Sequence, residues 1–203
     1  MLESRFFNLM RSYTDNENYI IECWKEIYAS YTGKSRYYHN LGHLSNMISE
    51  LNEIESSVSE LDTILFSIYY HDIVYKSTKS DNEYQSALLF EKRISKTNFP
   101  EIQKCYKQIE ATKEHKTSVD EDANILLDLD LSILGKDKSE YQEYCSNIRK
   151  EYSIYPDFMY HTGRKKVLNH LLNLDSIFKT KYFLDKYEES ARKNLAFELN
   201  QLN

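Results

Sequence analysis

Apolar residues recur at helical spacing along almost the whole chain, and few residues interrupt that pattern. Only four glycines and two prolines occur among the 203 residues, which is too few for the many turns of a β protein. Eighteen tyrosines and nine phenylalanines supply large apolar side chains for a helical core. The sequence therefore predicts an all-α fold, with helices over about residues 3–13, 16–31, 41–55, 58–74, 81–97, 100–113, 121–134, 138–153, 157–178 and 180–201.

Length and charge limit the organisation and the partners of the chain. A chain of 203 residues can form one domain with a sizeable core. We find no internal repeat, low-complexity tract or linker, so we expect a single compact domain over residues 1–203. The net charge of −6 argues against binding to bulk nucleic acid, whose phosphate backbone requires clustered lysines and arginines. A small phosphorylated ligand remains compatible with that charge.

Cysteine usage and the N-terminal sequence indicate where the protein resides. Cys23, Cys105 and Cys145 are odd in number and widely spaced, which favours reduced thiols over a disulfide framework. The first residues contain no basic segment followed by an apolar run, and no stretch reaches the length of a membrane span. We therefore expect a cytoplasmic protein that does not associate with membranes.

The pair His71–Asp72 lies at the end of a strongly apolar predicted helix. At helical spacing, both residues continue apolar stripes that include Ile68, so they should face the core. Ionisable groups in such a position are costly unless something satisfies them, and a metal ion would do so. The alternative is a buried His–Asp hydrogen bond that fixes the end of the helix.

Two further groups of candidate ligands accompany this pair. His39 and His43 are spaced i, i+4 and project from one face if both are helical. Asp128 and Asp130 lie in a leucine-rich helix, where at least one must face inward or lie at the margin of the core. Together these residues offer imidazoles and carboxylates from three helices. That set suits a divalent transition metal (Mn, Fe, Co, Ni or Zn) and differs from a thiolate-rich structural zinc site.

These residues lie in three of five segments whose order along the chain is informative. The five are Arg36–His43 (RYYHNLGH), Tyr70–Tyr75 (YHDIVY), Asp81–Ala87 (DNEYQSA), Ala111–His115 (ATKEH) and Leu127–Gly135 (LDLDLSILG). Further agreement lies in residues 148–152, 163–164 and 191–195. The chain resembles the HD-domain superfamily of metal-dependent phosphohydrolases, and most closely its predicted small phosphohydrolase branch. The resemblance spans nearly the whole chain and implies a compact multi-helix bundle of the HD-domain type.

A more distant resemblance implies roles for individual residues. The segment from Tyr38 to His43 is similar to one in cyclic-nucleotide phosphodiesterases, in which the first His donates a proton and the second binds metal. An Asp-Leu-Ser segment of those enzymes supplies the last metal carboxylate, which favours Asp130 over Asp128. The resemblance implies that His39 is the general acid or a phosphate contact, and that the metal ligands are His43, His71, Asp72 and Asp130. The remainder of the chain is unlike a phosphodiesterase, so a cyclic nucleotide substrate does not follow.

The number of metal ions follows from the same resemblance. HD proteins that bind two ions tightly generally supply two extra histidines between the His-Asp pair and the last Asp, and this chain supplies only His115. We expect one tight metal site. His115 would either help Asp72 and water to hold a second ion weakly, or bind phosphate. The alternative for His115 is an ordinary polar loop residue.

Four other residues are candidates for binding substrate, phosphate or another anion. Arg36 could bind a phosphate, and its alternative is a solvated cation before a helix. Asn82 and Glu83 could face the water at the metal, and the alternative for this segment is helix capping by Asp81. Arg164 could pair with a carboxylate or bind an anion.

The resemblance implies a phosphohydrolase that uses a metal-activated water to cleave a phosphoester of a small metabolite or nucleotide. In that mechanism Asp72 holds the water at the metal or bridges to the second ion, and His39 protonates the leaving oxygen. The alternative is a non-catalytic metal-binding helical protein that acts through protein partners. A homodimer is compatible with the sequence, although nothing in it requires one.

Overall fold

The structure is a computed structural model that describes residues 1–202. Within this range it contains α-helices and two short 3-10 turns but no strands, which confirms the predicted all-α fold. The helices are α1 (Leu2–Arg11), α2 (Glu17–Tyr31), α3 (Leu41–Ile54), α4 (Leu61–Tyr70), α5 (Asn82–Ile94), α6 (Ile102–Ala111), α7 (Glu121–Leu131), α8 (Lys138–Glu151), α9 (Asp157–Leu172) and α10 (Lys181–Gln201). None of these helices has both the length and the apolar character that crossing a bilayer requires.

The described chain divides into two compact units, residues 1–126 and residues 127–202. We call them the N-terminal unit and the C-terminal unit. The prediction of a single domain over residues 1–203 stays a prediction.

Helix α4 is the centre of the N-terminal unit. It packs against α1, α3, α5 and α6. Every residue from Thr63 to Tyr70 is buried, which explains why the sequence of this helix is mostly apolar. Within the helix, the buried hydroxyl of Ser67 donates to the side-chain oxygen of Gln108 on α6, so this polar group is satisfied inside the core.

Both ends of α4 differ from the predicted range of 58–74. The helix starts at Leu61, because the backbone N–H groups of Ser59 and Glu60 donate instead to the carboxylate of Asp122, at 3.0 and 2.9 Å. It ends at Tyr70, and the backbone then turns, with the N–H of Ile73 donating to the carbonyl of Tyr70. His71 and Asp72 thus occupy the first turn after the helix, where adjacent side chains can approach one point.

The C-terminal unit is organised around α10, which packs against α9 and against the 3-10 turn at residues 132–135. A buried ion pair joins α9 to α10, since Arg164 donates to Glu198 through two nitrogens at 2.7 and 2.9 Å. The hydroxyl of Tyr141 donates to the same carboxylate. Of the two roles predicted for Arg164, carboxylate pairing is the one that the structure shows.

Asp128 holds the turn that precedes α10. Its carboxylate is completely buried and accepts hydrogen bonds from the backbone N–H groups of Lys179 and Thr180, at 2.8 and 2.7 Å. The hydroxyl of Thr180 donates to it as well, at 2.8 Å. Of Asp128 and Asp130, Asp128 faces inward, as predicted for at least one of the two, and hydrogen bonds from the backbone and from a hydroxyl satisfy it.

We predict that Asp128→Ala lowers the free energy of unfolding by about 3 kcal/mol, because the N–H groups of Lys179 and Thr180 and the hydroxyl of Thr180 lose their buried acceptor. The matched control is Asp137→Ala, which removes an exposed carboxylate that accepts from the N–H groups of Ser139 and Glu140 at the start of α8. Water can replace that acceptor, so Asp137→Ala should lower the free energy of unfolding clearly less than Asp128→Ala does. Urea unfolding followed by circular dichroism measures both, and equal losses would contradict the role assigned to Asp128.

Candidate metal centre

The first histidine of the centre is placed by the start of α3. Asn40 precedes the helix, and its side-chain oxygen accepts from the N–H of Gly42 at 2.7 Å. A Cβ at position 42 would lie only 2.9 Å from that oxygen, so glycine allows the close approach. His43 follows in the first turn and is 4% exposed. The local sequence therefore directs this imidazole into the core of the N-terminal unit.

The second histidine is placed by the end of α4. The Nδ1 atom of His71 lies 2.9 Å from the carbonyl oxygen of Ile68. Because a carbonyl oxygen can only accept, Nδ1 must carry the hydrogen and donate it. In the neutral ring, Nε2 of His71 then presents its lone pair, which is the form that binds metals.

Ligand atoms from His43, His71 and Asp72 converge on one point. The Nε2 atom of His71 lies 3.2 Å from Nε2 of His43 and 3.2 Å from Oδ2 of Asp72. Candidate ligand atoms of the three residues all lie within 4.8 Å of one another, and all three residues are buried. Electron-rich atoms at such distances in a core repel each other unless a proton or a cation lies among them.

The backbone of Asp72 is fixed on both sides. Its N–H donates to the hydroxyl of Tyr31 at 3.2 Å, and its carbonyl accepts from a guanidinium nitrogen of Arg36 at 2.7 Å. The role of Tyr31 was missed from the sequence, since a tyrosine at a helix end carries no signal that distinguishes it from an ordinary core residue. The backbone N–H and the backbone carbonyl of Asp72 are thus both satisfied inside the protein.

His39 lies beside the cluster and outside the helix. It belongs to the turn before α3, so only His43 of the predicted i, i+4 pair is helical. The Nε2 atom of His39 lies 3.9 Å from Oδ2 of Asp72, and its side chain is more exposed than that of His71. Its ring stacks on the ring of Tyr75, with the two centroids 4.1 Å apart. His39 therefore lies at the edge of the cluster, towards solvent.

The fourth predicted ligand, Asp130, lies in the last turn of α7 and is partly exposed. Its metal role stays a prediction. The three hydrogen bonds to Asp128 account for that carboxylate without a metal, which leaves the preference for Asp130 in place.

His115 follows the end of α6 and adopts a positive φ of 49°. Its N–H donates to the carbonyl of Ala111 at 3.1 Å, an arrangement that commonly closes a helix. His is one of the few residue types enriched in this left-handed region. The contact gives His115 a place in the loop, and its predicted role at a second metal stays a prediction.

The predicted substrate residues of α5 have structural contacts. The side chain of Asn82 accepts from the N–H of Lys76 at 3.1 Å and donates to the carbonyl of the same residue at 3.0 Å. It thereby holds the loop that follows the cluster. Asp81 accepts no hydrogen bond from the first-turn amides of α5, so capping by its side chain, the alternative raised from the sequence, is wrong. Glu83 is partly exposed, and its predicted role stays a prediction.

The donor set fits a divalent transition metal. Two imidazole nitrogens and one carboxylate oxygen are ligands that Mn, Fe, Co, Ni and Zn accept, and three protein ligands leave positions open for water or substrate. The fixed tautomer of His71 supports this fit, because metal-binding histidines usually donate their other nitrogen to a carbonyl or carboxylate. His43, His71 and Asp72 would hold the ion.

Comparison with known proteins adds no relative to this description. No family model, curated protein or solved structure matches the chain.

We predict that the protein binds one Co²⁺ or Mn²⁺ ion tightly and that His71→Ala weakens this binding at least about 100-fold, more than the loss of a residue that only orients a ligand. His170→Ala is the control, because His170 is an exposed residue of α9. Isothermal titration measures the affinities, and circular dichroism verifies the fold. Equal affinities of the two variants would contradict the site.

Proposed function

We propose that this protein is a metal-dependent phosphohydrolase of the HD type that cleaves a phosphoester of a small metabolite or nucleotide. The observation that carries the proposal is the convergence of His43, His71 and Asp72 at the end of a buried helix. The resemblance of the ordered sequence motifs to HD phosphohydrolases supports it independently of the geometry.

A bound divalent cation supplies a hydroxide nucleophile near neutral pH and an electrophile for the phosphoryl oxygen. The remaining work falls to residues of the chain. Asp72 provides a carboxylate whose backbone is fixed on both sides, so it can accept a hydrogen bond from an attacking water in a constant position. The Oδ2 atom of Asp72 lies 3.2 Å from Nε2 of His71, so the negative charge of the carboxylate is close to the other two candidate ligands.

His39 has the position expected of a proton donor. Its ring is partly exposed, and Nε2 lies 3.9 Å from Oδ2 of Asp72, so the two atoms are neighbours without forming a direct hydrogen bond. The stacking on Tyr75 restricts the tilt of the ring. A substrate that binds from the solvent side would place its leaving oxygen closer to His39 than to His71. We therefore assign protonation of that oxygen to His39.

We propose that the reaction takes place in the cytoplasm, and the free thiols of Cys23, Cys105 and Cys145 support this location. The substrate class remains a small phosphorylated molecule. The competing function, a non-catalytic metal-binding protein that acts through protein partners, is the outcome if metal binds but no substrate is cleaved.

We predict that the metal-loaded protein hydrolyses members of a panel of phosphomonoesters and nucleotides, and that Asp72→Ala abolishes this activity because a ligand and its charge are lost. Asp157→Ala, which removes an exposed carboxylate paired with Arg149, should retain activity. Released phosphate is the measurement. A folded, metal-loaded wild type that cleaves no member of the panel would contradict the proposed function and favour the non-catalytic alternative.

We further predict that His39→Ala retains the bound metal but slows hydrolysis of alkyl phosphates about 100-fold, since positioned proton donors contribute on that order or more. Nitrophenyl phosphate has a leaving group that needs no proton, so its hydrolysis should change little. Comparison of kcat for the two substrates tests the assignment. An equal decrease for both substrates, or loss of the metal, would show that His39 has another role.

A further inference from the structure

Arg36 connects the two segments that carry the candidate site. Its Nη1 atom donates to the carbonyl oxygens of Asp72 and His39, at 2.7 and 3.1 Å, and Nη2 donates to the carbonyl of Ile73 at 3.0 Å. Three of the five N–H donors of the guanidinium are therefore committed to backbone carbonyls. One side chain thus spans the turn before α3 and the turn after α4.

Two tyrosine rings hold this guanidinium. Its central carbon lies 5.1 Å from the centroid of the Tyr31 ring and 5.3 Å from that of Tyr75, both within the range of a cation–π contact. The same two tyrosines contact the site, because Tyr31 accepts from the N–H of Asp72 and Tyr75 stacks on His39. Tyr31 and Tyr75 thus hold the guanidinium in place. Each of these tyrosines also contacts Asp72 or His39, whose backbone carbonyls the guanidinium binds.

The electrostatics favour a cation at this place. The carbonyls of Asp72 and Ile73 follow the C-terminal end of α4, where helix carbonyls lack partners and the helix dipole is negative. A guanidinium satisfies several such oxygens at fixed separations, whereas an ammonium presents all its donors from one atom.

We propose that Arg36 is a positioning residue, which fixes the His39 turn against the Asp72 turn so that the metal ligands are in place before the ion binds. The proposal rests on the metal-dependent function proposed above. It differs from the phosphate contact expected from the sequence, because the observed donors point to carbonyl oxygens of the protein. Arg36 acts on the ligands through the backbone of Asp72 and His39, without contacting the reacting atoms.

The matched control is Arg149, which has the same chemistry in the C-terminal unit. Its guanidinium donates to the carbonyls of Tyr152 and Tyr155, both at 3.0 Å, and lies 4.7 Å from the ring of Tyr160. It also pairs with Asp157. Substitution of Arg149 therefore removes a comparable set of contacts from residues that belong to no predicted site.

The experiment measures the affinity for Co²⁺ alone and the visible absorption spectrum of the bound ion in Arg36→Lys, Arg36→Ala, Arg149→Lys and Arg149→Ala. We expect both Arg36 variants to bind Co²⁺ about 10- to 100-fold more weakly than wild type, as is typical when a residue that orients a metal ligand is lost. The Arg149 variants should match wild type. Millimolar ethylguanidinium should restore part of the affinity of Arg36→Ala and should leave wild type unchanged.

Several results would overturn the proposal. One is wild-type affinity and an unchanged spectrum in both Arg36 variants. Another is an equal loss in the Arg149 variants, which would indicate general destabilisation; Arg36→Lys, which keeps the charge, remains informative if Arg36→Ala folds poorly. A raised KM with unchanged Co²⁺ affinity would indicate instead that Arg36 contacts the phosphate of the substrate. If wild type binds Co²⁺ but hydrolyses nothing, the proposed function fails, while the affinities still decide the role of Arg36.

Discussion

The hydrogen bond from Nδ1 of His71 to the carbonyl of Ile68 determines the chemistry of the candidate site. It uses a carbonyl near the end of α4, and it fixes which nitrogen of the ring carries the hydrogen. The lone pair of Nε2 consequently points towards His43 and Asp72, each 3.2 Å away. Without this bond the ring could rotate or change tautomer, and the three ligand atoms would not form a constant set.

Burial among the surrounding helices makes unsatisfied polar groups costly at this site, and hydrogen bonds from neighbouring segments satisfy them. Because α4 is buried on all sides, the turn that follows it must satisfy its polar groups within the protein. Tyr31 and Arg36 supply the partners of the Asp72 peptide. Burial strengthens the interactions among the charged and polar groups of the cluster, and this low-dielectric environment would strengthen the binding of a cation there.

The sequence predicted each of the ten helices found in residues 1–202, because the apolar period of 3.6 residues reports burial directly. It misplaced the ends of α4, since these depend on hydrogen bonds to Asp122 and on the turn after Tyr70, which are distant or irregular. Residue types indicated His43, His71 and Asp72 as a group, and the structure brings these three together. The contacts of Arg36 and Tyr31 were not predicted, because partners from other segments leave no periodic signal. The same holds for Asp128, whose partners lie at residues 179 and 180.

In the proposed centre, two imidazoles and one carboxylate of the N-terminal unit bind one divalent ion. X-ray absorption spectroscopy of the Co²⁺-loaded protein tests this arrangement, because imidazole rings give a characteristic outer-shell scattering. We predict two imidazoles around the ion in wild type and one in His43→Ala. A spectrum with oxygen neighbours alone, or one that His43→Ala leaves unchanged, would contradict the account.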